Sequence, residues 1–223
     1  MSTPSTVPDS PDAILDAAER LFAERGFKAA TIQLLATESG LSTALIYYYF
    51  GSKKGLYESV LARLFQQLGE RGLAEVEADA DPATGIRALL AVQGEMLLRR
   101  PHAARLLARE IIDFGASHAV PLVEQRLRGV FAGLSTRIAE GQRSGQFRSD
   151  LEPTFAALSC ISQIAWFALA SPLVAVLLNE EPDGPFPDTR AAFGRHAAEF
   201  ALGALQSGKW EVGSEKWDVK SRG

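Results

Sequence analysis

Apolar side chains recur at spacings of three and four along almost the whole chain, the period of helices that lay one face on a core. No run of strict alternation is long enough to suggest a sheet. The pattern predicts an all-α protein, with an N-terminal head of three helices on a larger helical body. Between Ile32 and Phe50 two short helical stretches meet across a tight turn. Thr31 and Ser42 each place a hydroxyl just before a stretch begins, the usual station of an N-cap. Ala36 keeps the inner face of the first stretch small, and Gly40, four residues on, can take the positive φ that a sharp turn demands. Leu35, Leu41 and Ile46 fall where apolar side chains would close the core between the two. This spacing is what a helix-turn-helix needs, and it predicts a head that reads DNA.

Past Leu56 the helical period continues. A helix capped by Ser52 is expected through Val60, Leu64, Phe65 and Leu68 toward Ala78. Asp81-Pro82 opens the next, with Leu89, Leu90, Val92, Met96 and Leu97 on its apolar face. Pro101 begins another that stops at Gly115, and a long helix is expected from about Pro121 to Ser144, followed by a turn at residues 145–150. Phe155 to Leu178 carries no charge and is long enough to cross a bilayer. However, Ser159, Ser162, Gln163 and Ser171 are spread through it, Pro172 breaks it, and no basic cluster flanks it. It is therefore read as a segment buried by its own core on one side and by a partner subunit on the other, away from any membrane. A last helix, rich in alanine, is expected from about Asp188 to Gln206, after the proline-rich loop Glu181 to Pro187. The resulting organisation is a disordered lead (1–10), a DNA-binding head (11–56), a larger helical body (57–207) and a flexible tail (208–223). The tail holds a near repeat, Lys209-Trp210-Glu211-Val212 and Lys216-Trp217-Asp218-Val219, which is read as a frayed end rather than a docking arm.

Composition narrows the classes. With 47% hydrophobic residues in 223, a substantial core is possible. The single cysteine, Cys160, excludes an intramolecular disulfide and agrees with a reducing cytoplasm. No basic segment followed by an apolar run marks the N-terminus as a secretory signal, so a cytoplasmic location is expected. A net charge of −4 is not that of a protein that coats nucleic acid. Residues 1–56 themselves hold Arg20, Arg25, Lys28, Lys53 and Lys54 against Asp9, Asp12, Asp16, Glu19, Glu24 and Glu38. From Gly26 onward the head has three lysines against Glu38 alone, so positive charge gathers near the reading helix. Modest nonspecific affinity and a shallow salt dependence follow, with helix N-termini sharing the attraction for phosphate.

The stretch Gly40, Leu41, Ser42, Ala44, Ile46, Tyr47, Tyr49, Phe50, Ser52 and Lys53, with Leu56 after it, resembles the signature of the TetR family of bacterial transcription regulators. Ala18, Leu21, Phe22, Glu24, Gly26 and Phe27 match the first helix of that family, and Thr31 and Ala36 its second. Leu45, Ser39 and Lys54 depart from the common pattern of Thr or Ser, Ala, and Glu. The resemblance implies a homodimer joined by the last two helices of each subunit, reading an inverted repeat. It also implies a small molecule lodged in the body that tilts the fourth helix and separates the heads. Thr31, Tyr47, Tyr49 and Lys53 would then hold the DNA backbone.

On the reading helix, Thr43, Ala44, Tyr47 and Tyr48 share one stripe, while Ile46 and Phe50 form the opposite one. The first stripe is expected in the major groove, with Ser42 capping it and Gln33, on the preceding helix, within reach of a phosphate or base. Packing of Tyr47 and Tyr49 against neighbouring helices is the competing role for those rings. An effector cavity would draw on Phe65, Met96, Phe131, Trp166 and Phe167, with Gln93, Arg105, His118 and Gln163 as polar points; ordinary core packing competes for each. The apolar bias suggests a hydrophobic or aromatic effector. His102, Arg105, Arg109, Glu110, Asp113 and His118 lie within seventeen residues, but no His-x-x-x-His pair, cysteine pair or glycine-rich phosphate loop is present. Surface ion pairs involving Arg105, Arg109, Glu110 and Asp113 are the expectation; no metal, cofactor or enzymatic activity is expected. The alternative is a helical small-molecule-binding or protein-interaction module whose head does not bind DNA, suggested by the weak basic charge and by Leu45.

Overall fold

A computed structural model describes residues 11–77, 81–181 and 187–206; the lead, the tail with its tryptophan repeat and most of the proline-rich loop lie outside the described residues. Every regular element among the described residues is helical. Helices α1 (Pro11–Ala29), α2 (Ile32–Ser39) and α3 (Thr43–Phe50) form the head, and α4 (Lys53–Glu77) leads from it into the body. There α5 (Pro82–Leu98), α6 (Pro101–Phe114), α7 (Ala119–Leu122), α8 (Arg128–Arg143), α9 (Pro153–Leu169), α10 (Ser171–Leu177) and α11 (Pro187–Gln206) follow.

Several ends lie where side-chain chemistry puts them. Asp81 accepts the Ala83 and Thr84 N–H groups ahead of Pro82, and Glu152 accepts that of Phe155 ahead of Pro153. α6 stops at Gly115 in the left-handed region, φ 58°. Two regions depart from the reading of the sequence. The long helix expected from Pro121 to Ser144 is interrupted by a π turn at Val123–Leu127, where the Arg128 N–H reaches the Val123 carbonyl. α4 packs against this turn, and the fit includes the Arg126 backbone lying over Gly69, a close approach that helical period cannot encode. The uncharged segment is not one helix either. It bends by 85° between α9 and α10, where Pro172 has no N–H to continue the ladder and Ser171 Oγ donates to the Phe167 and Ala168 carbonyls. Among the described residues no single helix is long and apolar enough to cross a membrane.

Two apolar clusters organise the packing. The first joins Ile14, Leu21 and Phe22 of α1 to Leu35, Ile46, Leu56, Tyr57, Val60 and Leu61, and reaches Leu106 of α6 and Ala119 of α7. The head therefore shares its core with α4, α6 and α7. The second gathers Ile86, Leu90, Leu134, Ile138, Ile164, Phe167, Ala197, Ala201 and Leu202 from α5, α8, α9 and α11. Chain direction follows from these contacts. α7 starts in the head cluster and α8 leads away from it; the turn after α8 then lies beside the end of α11, where the Arg148 N–H bonds the Leu205 carbonyl at 2.9 Å. α9 returns along α8 to reach α6, and α11 begins where Arg190 bonds the Leu98 carbonyl.

Candidate nucleic-acid interface

The head is built around the α2–α3 corner. Thr31 Oγ1 accepts the Leu34 N–H and Ser42 Oγ accepts the Leu45 N–H, both at 3.2 Å. Each cap uses an oxygen lone pair, leaving the hydroxyl proton available to donate outward. Gly40 takes φ 70° and its N–H closes α2 onto the Thr37 carbonyl, so the turn is made at the residue that bears its strain least. Ile46 is fully buried beneath α3, with Leu41 and Phe50 partly buried beside it. That burial fixes the rotation of the helix and turns Ala44, Tyr47, Tyr48 and Tyr49 outward, with Tyr48 80% exposed. Tyr49 remains the least exposed of the three rings, lying edge-on to Tyr48 at 5.1 Å and tilted against Phe50 at 6.2 Å. Thr43 is half-buried at the start of α3, and Gln33 is exposed on α2.

Lys53, expected on the DNA backbone, is turned inward. Its ammonium donates to the Phe27 carbonyl at 2.9 Å and the Lys28 carbonyl at 3.4 Å, and sits 4.6 Å above the centre of the Phe27 ring. It thereby holds the end of α1 to the start of α4.

The acids of α1 face the body. Asp16 lies 2.8 Å from Arg63 of α4, while Glu19 is buried between Arg63 at 3.3 Å and Arg100 at 2.7 Å. Much of the negative charge counted against the head is thus paired away from the reading surface. Arg109 of α6 donates to the Ala23 and Glu24 carbonyls at 2.8 and 2.9 Å. Gly26, at φ 76°, lets this guanidinium in: a Cβ there would lie 2.9 Å from Arg109 Nη1.

Glu110 and Arg109 correct the expectation of surface ion pairs on α6. Glu110 is fully buried and accepts the Tyr57 hydroxyl at 2.9 Å and the backbone N–H groups of His118 and Ala119 at 2.8 and 3.2 Å, with His118 Nδ1 at 3.2 Å. Burial, and then the neighbouring Glu110, push the Tyr57 phenol far above its ordinary range, so it remains a donor. The sequence shows a glutamate at a helical position that faces the core, and that periodicity was the one available signal. Its partners come from α4 and α7 and could not be read locally.

The residues suggested for an effector cavity do not meet at one point. Phe65 packs in the head cluster, Met96 in a small cluster with Leu64 and Ala103, and Phe131 and Phe167 in the body cluster. Gln93 bonds the Ile161 carbonyl at 2.9 Å, Gln163 is half-buried on α9, His118 belongs to the Glu110 site, and Arg105 is exposed. Trp166 is a correction. It is 65% exposed, because Ile164 and Phe167 occupy the inward face of α9 and leave it pointing out.

The model of the family described as "Bacterial regulatory proteins, tetR family" matches residues 14–60, which span the head and the start of α4. The HTH-type transcriptional repressor NicS of Pseudomonas putida is 33% identical over 158 residues, covering 70% of this chain and 74% of that protein. The chain belongs to the TetR family. It is a DNA-binding transcriptional regulator. The TetR fold extends over the body: the ketosteroid transcriptional regulator KstR2 of Mycobacterium tuberculosis superposes with a TM-score of 0.69 at 21% identity, covering 93% of this chain and 98% of that one. FadR of Bacillus subtilis, solved in complex with stearoyl-CoA, superposes with a TM-score of 0.63 at 17% identity, covering 88% and 100%.

Proposed function

We propose that the protein is a cytoplasmic homodimeric repressor that reads an inverted-repeat operator with two copies of α3 and releases it when a small apolar effector enters the body. The observation that carries this reading is the rotation of α3, which buries Ile46 and leaves Ala44, Tyr47 and Tyr48 on an open face. Residues 11–56 serve as the head and 57–207 as the effector-binding and dimerisation body. Ala44 permits close approach to a thymine methyl, Thr43 offers a hydroxyl and a methyl, and the tyrosines reach base edges or phosphates. Thr31 and Ser42 donate their free hydroxyl protons to phosphates at the two helix N-termini, with Gln33 beside them. Lys53 acts from behind, by fixing α1 against α4.

The dimer forms through α9 and α11. Phe155, Leu158, Trp166 and Leu169 make an exposed apolar stripe on α9, and Phe200 stands out on α11 near the small residues Ala192, Gly203 and Ala204. A stripe of this size is ordinarily covered. Two reading helices about one DNA turn apart then read symmetric half-sites. An apolar effector suits the body cluster around Phe131 and Phe167, and similar folds are named for a ketosteroid regulator and solved with stearoyl-CoA. To separate the heads it must favour one spacing over the other by a few kcal/mol.

The test is a gel-shift titration of the promoter DNA flanking its own gene, with and without steroid and acyl-CoA ligands. A shift to a two-headed complex that a ligand reverses is the expected result. Failure to shift any inverted-repeat DNA at low salt would instead favour a binding module that has lost DNA recognition.

A further inference from the structure

We propose that α10 is a cross-subunit hook: it docks on a second copy of this chain at the end of the body nearest the heads and helps set their separation. This rests on the homodimer proposed above and goes beyond the pairing of α9 with α11, because the 85° bend carries α10 off the α9 axis.

α10 is held rigidly by one side only. Ala175 is fully buried and Val174 partly so, both in the body cluster. Beyond the helix, Asn179 takes φ 57°, the Glu180 N–H returns to the Ala175 carbonyl at 2.8 Å, and Thr189 Oγ1 donates to Glu180 Oε1 at 3.1 Å, tying the segment to the first turn of α11. On the other side Leu173, Val176 and Leu177 are 66%, 59% and 80% exposed, with Leu178 beside them. Large aliphatic side chains on a fixed helix form a preorganised apolar surface, and such a surface is ordinarily covered.

The occupant follows from continuity. The exposed stripe Phe155, Leu158, Trp166 and Leu169 runs without a charged residue around the bend onto Leu173, Val176 and Leu177. A subunit seated on the α9 stripe therefore meets α10 next, and two-fold symmetry makes each contact twice. Position gives the consequence. α9 ends on α6, and α11 begins at Leu98, two residues before Arg100 reaches Glu19 of α1. α10 and the start of α11 thus bracket the head-proximal end of the body, where a contact across the dimer has the shortest lever to the two heads.

The experiment is sedimentation velocity of the full chain across a concentration series, comparing wild type, the double variant Leu173→Asp/Leu177→Asp, and Trp166→Asp. Both altered α10 positions are exposed, so thermal melts by circular dichroism should retain a cooperative transition. The double variant is expected to raise the dimer dissociation constant at least about tenfold, and to bind inverted repeats with half-sites moved apart by one base pair with less discrimination than wild type. Wild-type dimerisation by the double variant overturns the hook. So does a chain lacking residues 207–223 that dissociates equally and is unaffected by the two aspartates, since the tail would then be what covers α10. If the double variant dissociates while Trp166→Asp remains dimeric, the hook stands and the α9–α11 interface falls; the reverse pattern removes the hook alone.

Discussion

Replacing Lys53 by methionine keeps the apolar stem and removes only the ammonium, which separates two roles that a DNA-binding lysine can play. In this structure the ammonium donates to the Phe27 carbonyl at 2.9 Å and stands 4.6 Å over the Phe27 ring. A hydrogen bond from a charged donor contributes about 1.5–3 kcal/mol, and a cation–π contact at an exposed site about 0.5–1 kcal/mol. Lys53 and its acceptors are partly open to water, which would resolvate the freed carbonyls, so the net loss is about 1–2 kcal/mol. That loss loosens the α1–α4 junction and weakens operator binding by up to about thirtyfold per head. Affinity measured by fluorescence anisotropy from low to moderate salt distinguishes the roles. If Lys53 positions the head from inside, Lys53→Met lowers the melting temperature and the affinity while the slope of log K against log salt is unchanged. A phosphate contact instead removes about 0.9 from the slope per head. A reduced slope with unaltered stability would refute the inward assignment.

Tyr48→Ala, at the most exposed of the three rings, should change stability by no more than about 0.5 kcal/mol yet reorder the preferred half-site bases; competition gel shifts over a base-substituted operator panel check it. Glu110→Leu removes an acceptor shared by Tyr57, His118 and Ala119 and strands their buried donors, with an expected cost of about 2–4 kcal/mol in urea unfolding; Tyr57→Phe, which removes only one donor, should cost less. The caps Asp81 and Glu152 predict acid sensitivity. Hydrogen bonds from Thr84 and Gln146 hold the Asp81 carboxyl below its ordinary range; at Glu152 burial works in the opposite direction but is outweighed by the Phe155 and Thr154 N–H groups. Both groups bind protons less readily when folded, so their contribution is present above the ordinary carboxylate range and is lost as pH falls through the lowered values. Melts from neutral pH down to about 3 should show a smaller acid-induced loss for Asp81→Asn/Glu152→Gln than for wild type.

The reading helix was legible because its determinants are local. Thr31, Gly40 and Ser42 act within a few residues of themselves, and the Ile46–Phe50 face is set by period alone, so the outward stripe with Tyr48 could be placed from the sequence. Pro172 was legible as a break, but the 85° turn there into a separate helix was not. The settings of Lys53 and Glu110 were not legible, for the opposite reason. The partners of Lys53 lie on α1 and those of Glu110 on α4 and α7, at separations that no periodic pattern records.

The sequence by itself determined the helical class, the caps and turns, and which face of α3 is free, since these depend on backbone chemistry and on side chains three or four positions apart. Tertiary structure alone decided that the acids of α1 are paired with Arg63 and Arg100, that α6 grips the end of α1 through Arg109, and that Trp166 and α10 point outward. Those outcomes depend on which helices become neighbours: a buried charge is tolerated only where a distant partner arrives, and an apolar side chain stays exposed when other residues have already filled the core.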